Sequence, residues 1–258
     1  MPTPATLSVI IITKNEQDSL LNCLQSVAWA QEWVVVDSGS TDQTVSIAQN
    51  FGARVVQTPD WPGFGPQKNY ALSLATSDWV LSLDADESLS PDLSQELLLF
   101  LHEPKVVLGG IFSRESTFSG IVLRHGGWWP DPVVRLVKRH CGQFSSDIVH
   151  ERLIIEGPLQ RFRHPICHAT YENFSEALAK ANHYSSLGAE QAYAQGKRSS
   201  FIQAILRAFW AFFRTLIWRT SFLDGSSGWL LAFYNSYTTF SRYIKLWELG
   251  RNHSSEDK

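Results

Sequence analysis

Residues 79–87 read Trp79-Val80-Leu81-Ser82-Leu83-Asp84-Ala85-Asp86-Glu87, or WVLSLDADE. The apolar run Val80–Leu83 predicts a buried strand that runs straight into Asp84-Ala85-Asp86. Side chains alternate faces along a strand, so extended geometry carried that far would put Asp84 and Asp86 on one side and Ala85 on the other. Two carboxylates held together repel, and one is pushed toward its neutral form unless a cation joins them. Oxygen ligands suit a hard ion, Mg²⁺ or Mn²⁺, which is commonly held by one or two carboxylates together with substrate phosphates. The pattern therefore points to an ion that grips a diphosphate. The plainer alternative is a solvated acidic turn ahead of a helix cap.

Upstream, the chain alternates strand and helix. Leu7–Thr13 (LSVIIIT), Glu32–Asp37 (EWVVVD) and Arg54–Thr58 (RVVQT) predict three buried strands before the one ending at Asp84. Helices are predicted between them over Ser19–Ala28, with Asn15 as N-cap, and over Thr41–Phe51, where Ser40 and Gln43 have capping-box spacing. Pro59–Pro66 reads as a loop in which Gly63-Phe64-Gly65 is a plain turn. A short helix over Gln67–Ala75 carries Lys68 and Asn69. Such alternation implies a parallel sheet covered by helices on both faces, with ligands outside the carboxyl ends of the strands. Thr13, Asn15 and Glu16 fall at the first of those ends, Asp37 at the second, and Asp84 and Asp86 at the fourth. A purely structural sheet has no need for so many carboxylates along one rim.

Composition adds direction. The chain has 258 residues and a net charge of −3, and nothing in that total points to nucleic acid. Residues 1–100 hold 3 Lys/Arg against 12 Asp/Glu, and residues 101–258 hold 19 against 13. An acidic front suits a cation site and a basic rear suits an anionic partner. Cys23, Cys141 and Cys167 are odd in number and lack metal-type spacing, as expected of reduced thiols. The N-terminal MPTPATLSVIII lacks the basic start of a signal peptide and reads as a first strand. No G-x-G-x-x-G or Walker sequence occurs, which argues against dinucleotide oxidoreductases and P-loop NTPases.

Taken together and in order, Thr13-Lys14-Asn15-Glu16, Asp37-Ser38-Gly39-Ser40-Thr41-Asp42, Gln67-Lys68-Asn69 and Asp84-Ala85-Asp86 resemble family 2 glycosyltransferases of the GT-A fold. The resemblance covers residues 7–170. Within that family the chain is similar to the small bacterial β-1,4-glucosyltransferases of lipopolysaccharide core assembly. Gly126-Gly127-Trp128-Trp129-Pro130-Asp131, Val149-His150-Glu151 and Tyr243-Ile244-Lys245-Leu246-Trp247-Glu248 carry that likeness. It implies a Rossmann-like, mostly parallel sheet as a catalytic domain over 1–172. It also implies that Thr13, Asn15 and Glu16 line a nucleotide pocket, that Asp37 hydrogen-bonds the base, usually uracil, and that Lys68 and Asn69 lie near the sugar or diphosphate. Asp84 and Asp86 become the metal pair, with Asp86 the direct ligand.

Transfer with inversion needs a carboxylate to take the acceptor hydroxyl's proton while the ion stabilises the leaving diphosphate. Related enzymes draw that base from the region after the metal pair, which makes Glu151 the first choice and Asp131 the second. A salt bridge from Glu151 to Arg152 or Arg135 is the structural alternative. Trp128 and Trp129 suit either a sugar-stacking platform or core packing. Among His150, His164 and His168, the resemblance favours His168 as a further metal or phosphate partner. Arg135, Lys138 and Arg139 follow a strand-like run and suit acceptor phosphates.

The rear, 173–258, predicts a helical extension. Phe174–Gly196 is helical with a Gly stop. Phe201–Trp218 (FIQAILRAFWAFFRTLIW) has the length of a minimal membrane span. However, Gln203, Arg207, Trp210, Arg214 and Trp218 form one helical stripe beside an apolar face, as in a helix lying in a membrane interface. Packing onto the catalytic domain and a transmembrane hairpin are the alternatives for this extension. The sequence thus predicts a Mg²⁺- or Mn²⁺-dependent inverting hexosyltransferase. It would move glucose from UDP-glucose to a heptose of the lipopolysaccharide inner core, peripheral on the cytoplasmic face of the bacterial inner membrane. Rival readings are transfer to a polyprenyl phosphate, a phosphatase with Asp84 as nucleophile, and a non-catalytic nucleotide-sugar binding module.

Overall fold

The structure, a computed structural model, describes residues 4–58, 60–103, 106–118, 120–147, 151–171 and 173–256. Val149 and His150 lie outside the described residues. The front half follows the predicted alternation: β1 (Leu7–Thr13), α1 (Leu20–Ser26), β2 (Glu32–Asp37), α2 (Thr44–Phe51), β3 (Arg54–Gln57), α3 (Phe64–Leu74) and β4 (Trp79–Asp84). β1 lies between β2 and β4 and is parallel to both, with Thr13 in register with Asp37 and Ile12 with Asp84. Their carboxyl ends therefore share one edge. Alternate residues fill the two faces. Leu7, Val9 and Ile11 pack with Leu24, Val35, Leu81 and Leu83 on one side, and Ile10 packs with Val34, Val36, Ala71 and Val80 on the other. This two-sided burial is why the strands read as continuous apolar runs.

The helix starts differ from expectation. Asn15 does not cap α1. It takes a positive φ of 57°, and its side-chain oxygen accepts the Thr41 N–H at 2.8 Å. Ser40 does not cap α2 either, because its hydroxyl donates to the Asp37 carboxylate. Both polar side chains satisfy the loops at the sheet edge, and α1 and α2 begin later, at Leu20 and Thr44. Gly63-Phe64-Gly65 is not a plain turn but the start of the 11-residue α3. A Cβ on Gly65 would stand 1.9 Å from the Ser145 carbonyl oxygen, so only glycine lets α3 meet that backbone.

Beyond β4 the chain turns at Ala85-Asp86 into β5 (Glu87–Leu89) and α4 (Pro91–His102). Ser90 caps α4, its hydroxyl accepting the Leu93 N–H, with Pro91 in the first turn. Then follow β6 (Gly109–Phe118), β7 (Ile121–Val122), β8 (Asp131–Lys138), β9 (Gly142–Phe144), β10 (Leu153–Ile155), β11 (Leu159–Arg161) and β12 (Ile166–Tyr171). The main sheet runs β3-β2-β1-β4-β8-β6-β12-β5. β3, β2, β1 and β4 are parallel to one another, β8 extends the sheet antiparallel to β4, and β11 runs parallel to β6. β5 returns antiparallel to β12, which sets His168 opposite Glu87.

The chain divides into two compact units, residues 1–114 with 131–168, and residues 115–130 with 169–258. In the second, α5 (Phe174–Ala194) starts at Asn173, whose side chain accepts the Glu176 N–H. α6 (Phe201–Phe213) continues through a π-helical turn (Arg214–Trp218) and a 3-10 turn (Ser221–Asp224) into α7 (Gly225–Glu256). Ala204, Ala208, Ala211 and Thr215 form the buried side of α6 and its π-helical continuation, where small residues allow close helix approach to α7. A Cβ on Gly228 would lie 1.5 Å from the Ser221 carbonyl oxygen, so the start of α7 also depends on glycine. Trp128 packs in this unit's core beside Leu231 and Tyr234, and Trp129 stands 5.9 Å from the Arg124 guanidinium.

Candidate active site

The shared edge of β1, β2 and β4 gathers the predicted residues. Asp37 is fully buried and organises its own loop. One carboxylate oxygen accepts the Gly39 and Ser40 N–H groups at 3.1 and 2.9 Å, and the other accepts the Thr13 hydroxyl at 3.1 Å together with that of Ser40. Asn15 and Glu16 close the neighbouring loop. The Asn15 N–H donates to the Ser40 hydroxyl, and the Glu16 N–H to the Thr44 hydroxyl at 2.7 Å. The loops after β1 and β2 are thereby tied to each other.

Three consecutive residues of α3 serve three different partners. The Gln67 amide donates to the Ser38 and Thr58 hydroxyls at 2.9 and 2.7 Å, fixing α3 against the ends of β2 and β3. Asn69 pairs with the Phe144 backbone in both directions, so it fastens β9. Lys68, between them, is buried with its ammonium 2.8 Å from Asp84 and 2.6 Å from Glu151.

Asp84 continues the chain of charges. Its other carboxylate oxygen meets Arg135 at 2.5 Å, Arg135 meets Glu87 at 2.6 Å, and Glu87 faces Arg114 at 3.4 Å. Arg114 closes on Asp131 with two hydrogen bonds, of 2.9 and 2.6 Å. An alternating path of carboxylates and cations therefore joins Glu151 to Asp131, the two candidate bases. Burial alone would raise the Asp84 carboxyl, but Arg135 and Lys68 outweigh it and hold it well below the usual carboxylate range. Burial would likewise lower Arg135, and Asp84 with Glu87 reverses this and holds it firmly charged. Arg135 is thus buried in this network, while Lys138 and Arg139 are exposed. Glu151 pairs with Lys68, not with Arg135.

The two aspartates flank the buried Ala85 and take different partners. Asp86 faces His168, with 3.3 Å between carboxylate oxygen and imidazole Nε2. His164 instead pairs with Glu96 of α4 at 3.0 Å. Two ligand atoms on adjacent corners of a Mg²⁺ octahedron stand roughly 3 Å apart, from ligand distances of 2.0–2.1 Å. The Asp86–His168 separation fits such an edge. Among the described residues no group of three or more His, Cys, Asp or Glu side chains is placed to hold a metal ion. Among the described residues, Asp86 and His168 thus offer a pair of donor atoms and not a cage supplied by the protein.

Sequence reasoning missed Glu87, whose side chain is 0% exposed. One oxygen accepts the Asp84 N–H at 3.0 Å, holding the turn, and the other faces both arginines. Its position directly after Asp84-Ala85-Asp86 was visible. Its partners, Arg114 and Arg135, are brought to it only by the antiparallel strands β6 and β8.

The sequence model of glycosyl transferase family 2 matches residues 8–161, more than half of the chain. An uncharacterized glycosyltransferase of Rickettsia bellii is 30% identical over 94% of this chain and 86% of its own length. The lipopolysaccharide core biosynthesis glycosyltransferase LpsC of Rhizobium meliloti is also 30% identical, over 92% of this chain and 93% of its own. Among solved structures, glucosyl-3-phosphoglycerate synthase from Mycobacterium tuberculosis, with Mn²⁺, uridine diphosphate and glucosyl-3-phosphoglycerate, aligns at a TM-score of 0.41 and 22% identity. That alignment spans 53% of this chain and 58% of that one. The matched segment runs from β1 through β11 and holds the whole charged path from Glu151 to Asp131, and on that match the chain belongs to glycosyl transferase family 2 and is a glycosyltransferase.

Proposed function

We propose that this glycosyltransferase moves a hexose, glucose carried by UDP, with inversion onto a heptose of the lipopolysaccharide inner core. The observation that carries the reading is the common edge on which Asp37, Asp84, Asp86 and the Lys68–Glu151 pair all lie. The similarity to the Rhizobium core glycosyltransferase supports the choice of acceptor. Thr13, Asn15 and Glu16 line the nucleotide pocket, and Asp37 holds its loop in shape. Asp84 keeps Lys68 aimed at the diphosphate. Asp86 and His168 would hold Mg²⁺ or Mn²⁺, and a bound ion supplies positive charge to the leaving diphosphate. Glu151 takes the acceptor hydroxyl's proton as that oxygen bonds to the anomeric carbon and the bond to UDP breaks. Asp131, engaged by Arg114 through two hydrogen bonds, is the second choice as base.

The catalytic role belongs to residues 1–172 and membrane contact to 173–258. Phe201–Trp218 is long and apolar enough to cross a membrane, and only 28% of it is buried within the protein. Ile202, Leu206, Phe209, Phe213 and Ile217 are all exposed. These residues, beside the Arg207, Trp210 and Arg214 stripe, support a helix lying in the interface of an anionic membrane. Donor turnover with a heptose-terminated core acceptor tests the enzymatic reading. Glu151→Gln is expected to lower kcat at least about 100-fold. Transfer to a polyprenyl phosphate but not to the core acceptor would assign the other lipid-linked substrate.

A further inference from the structure

Asp84 is held at both ends by one closed ring of contacts. Its backbone N–H donates to one carboxylate oxygen of Glu87 at 3.0 Å. The other Glu87 oxygen accepts Nη2 of Arg135 at 2.6 Å, and the same nitrogen donates to Oδ2 of Asp84 at 2.5 Å. The Glu87 and Arg135 side chains are 0% and 8% exposed, whereas that of Asp84 is 31% exposed. A partly exposed carboxylate turns readily about its last side-chain bond, where the torsional wells are broad. Here the buried guanidinium removes that freedom. Arg135 claims Oδ2 and leaves Oδ1 to face Lys68 at 2.8 Å.

Lys68 needs such a guide. An ammonium is a compact charge on a flexible stem and takes its direction from its partners. Lys68 has two carboxylate partners, Oδ1 of Asp84 and Oε1 of Glu151, at 2.8 and 2.6 Å. If Asp84 turned, one of these anchors would leave and the ammonium would follow Glu151 alone. Arg135 is not placed for maximal hydrogen bonding. Its Nε is buried and finds no acceptor among the described residues, which is a destabilising feature. What its placement achieves is contact with two carboxylates through one nitrogen.

We propose that Arg135 is a positioning residue for sugar transfer, acting on the donor diphosphate through Asp84 and Lys68. This rests on the reading of Lys68 as the cation that faces the diphosphate, and it adds the residue that aims it. The influence of Arg135 is then confined to the phosphate part of the donor and disappears when Lys68 is removed.

The test is calorimetric titration of UDP and of uridine into the full chain, for the native protein, Arg135→Met, Lys68→Met and the double variant. All four are measured well below their unfolding midpoints. Arg135→Met should weaken UDP binding at least about fivefold and leave uridine, which carries no phosphate, within about twofold of native. In the Lys68→Met background the same change should cost UDP less than about twofold. If Arg135→Met does not fold, Glu87→Gln opens the same ring from its other side and takes its place in the cycle. Losses of UDP affinity that multiply would show Arg135 acting independently of Lys68 and overturn the proposal. Equal losses for UDP and uridine would make Arg135 a general structural support and overturn it as well. Native UDP affinity in Lys68→Met would refute the diphosphate reading of Lys68 and take this proposal with it.

Discussion

Replacing Glu87 by Gln removes the central charge of the path while keeping its shape. The amide oxygen can still accept the Asp84 N–H, so the turn into β5 keeps that bond. What is lost is the carboxylate shared by Arg135 and Arg114, at 2.6 and 3.4 Å. Glu87 is wholly buried, and the Arg135 side chain is 8% exposed. Removing one partner of a buried pair costs about 3–5 kcal/mol, because the remaining charge stays desolvated. Here Arg135 retains Asp84 and Arg114 retains Asp131, which argues for the lower end, about 3 kcal/mol. For a chain of this size, 1 kcal/mol corresponds to roughly 2–4 °C in Tm, so a drop of about 6–12 °C is expected. Thermal unfolding of the single variant, of Arg135→Met and of the double variant measures this. The double variant should be less destabilised than the sum of the singles, because each single leaves a charge behind that the double removes. A loss below about 1 kcal/mol for Glu87→Gln, or strict additivity, would refute the picture of one coupled buried network.

Two further outcomes follow from the same geometry. Gly65→Ala places a methyl carbon against the Ser145 carbonyl and must push α3 away from that segment. Donor turnover should fall at least tenfold with little change in overall helix content by circular dichroism, and wild-type turnover would contradict the stated role of that contact. The second concerns acid. The folded Asp84 carboxyl lies below its unfolded value of about 3.9, so its contribution is present above that pH and is lost as pH falls toward the folded value. Urea midpoints measured from pH 6 downward should therefore decline more steeply, below about pH 4, for the native chain than for Asp84→Asn. Parallel curves would contradict the assignment.

The parallel half of the sheet was legible because β1, β2 and β4 are buried on both faces and so announce themselves as apolar runs ending in polar residues. The rim followed from topology alone, since parallel neighbours must end on the same edge. Helix starts were less legible. Asn15 and Ser40 are good caps in isolation, but each found a partner in the adjacent loop, a contact that arises only once β1 and β2 lie side by side. Ala85 is buried between two half-buried aspartates, but the partner of each was not legible, because Lys68, Arg135 and His168 arrive from other elements. The roles of Arg114 and Arg135 were hidden since their strands come from a distant part of the sequence. In the rear, the basic and tryptophan stripe was visible from helical spacing.

The most direct test of the central claim is calorimetric titration of UDP-glucose into the protein with and without Mn²⁺, for the native chain and for Asp86→Asn and His168→Ala. If the β1–β2–β4 edge holds an ion and a sugar diphosphate together, Mn²⁺ should tighten donor binding at least tenfold in the native chain. Either substitution should abolish that gain while leaving the weaker ion-free binding in place. The same gain from Mn²⁺ in all three proteins would contradict the claim.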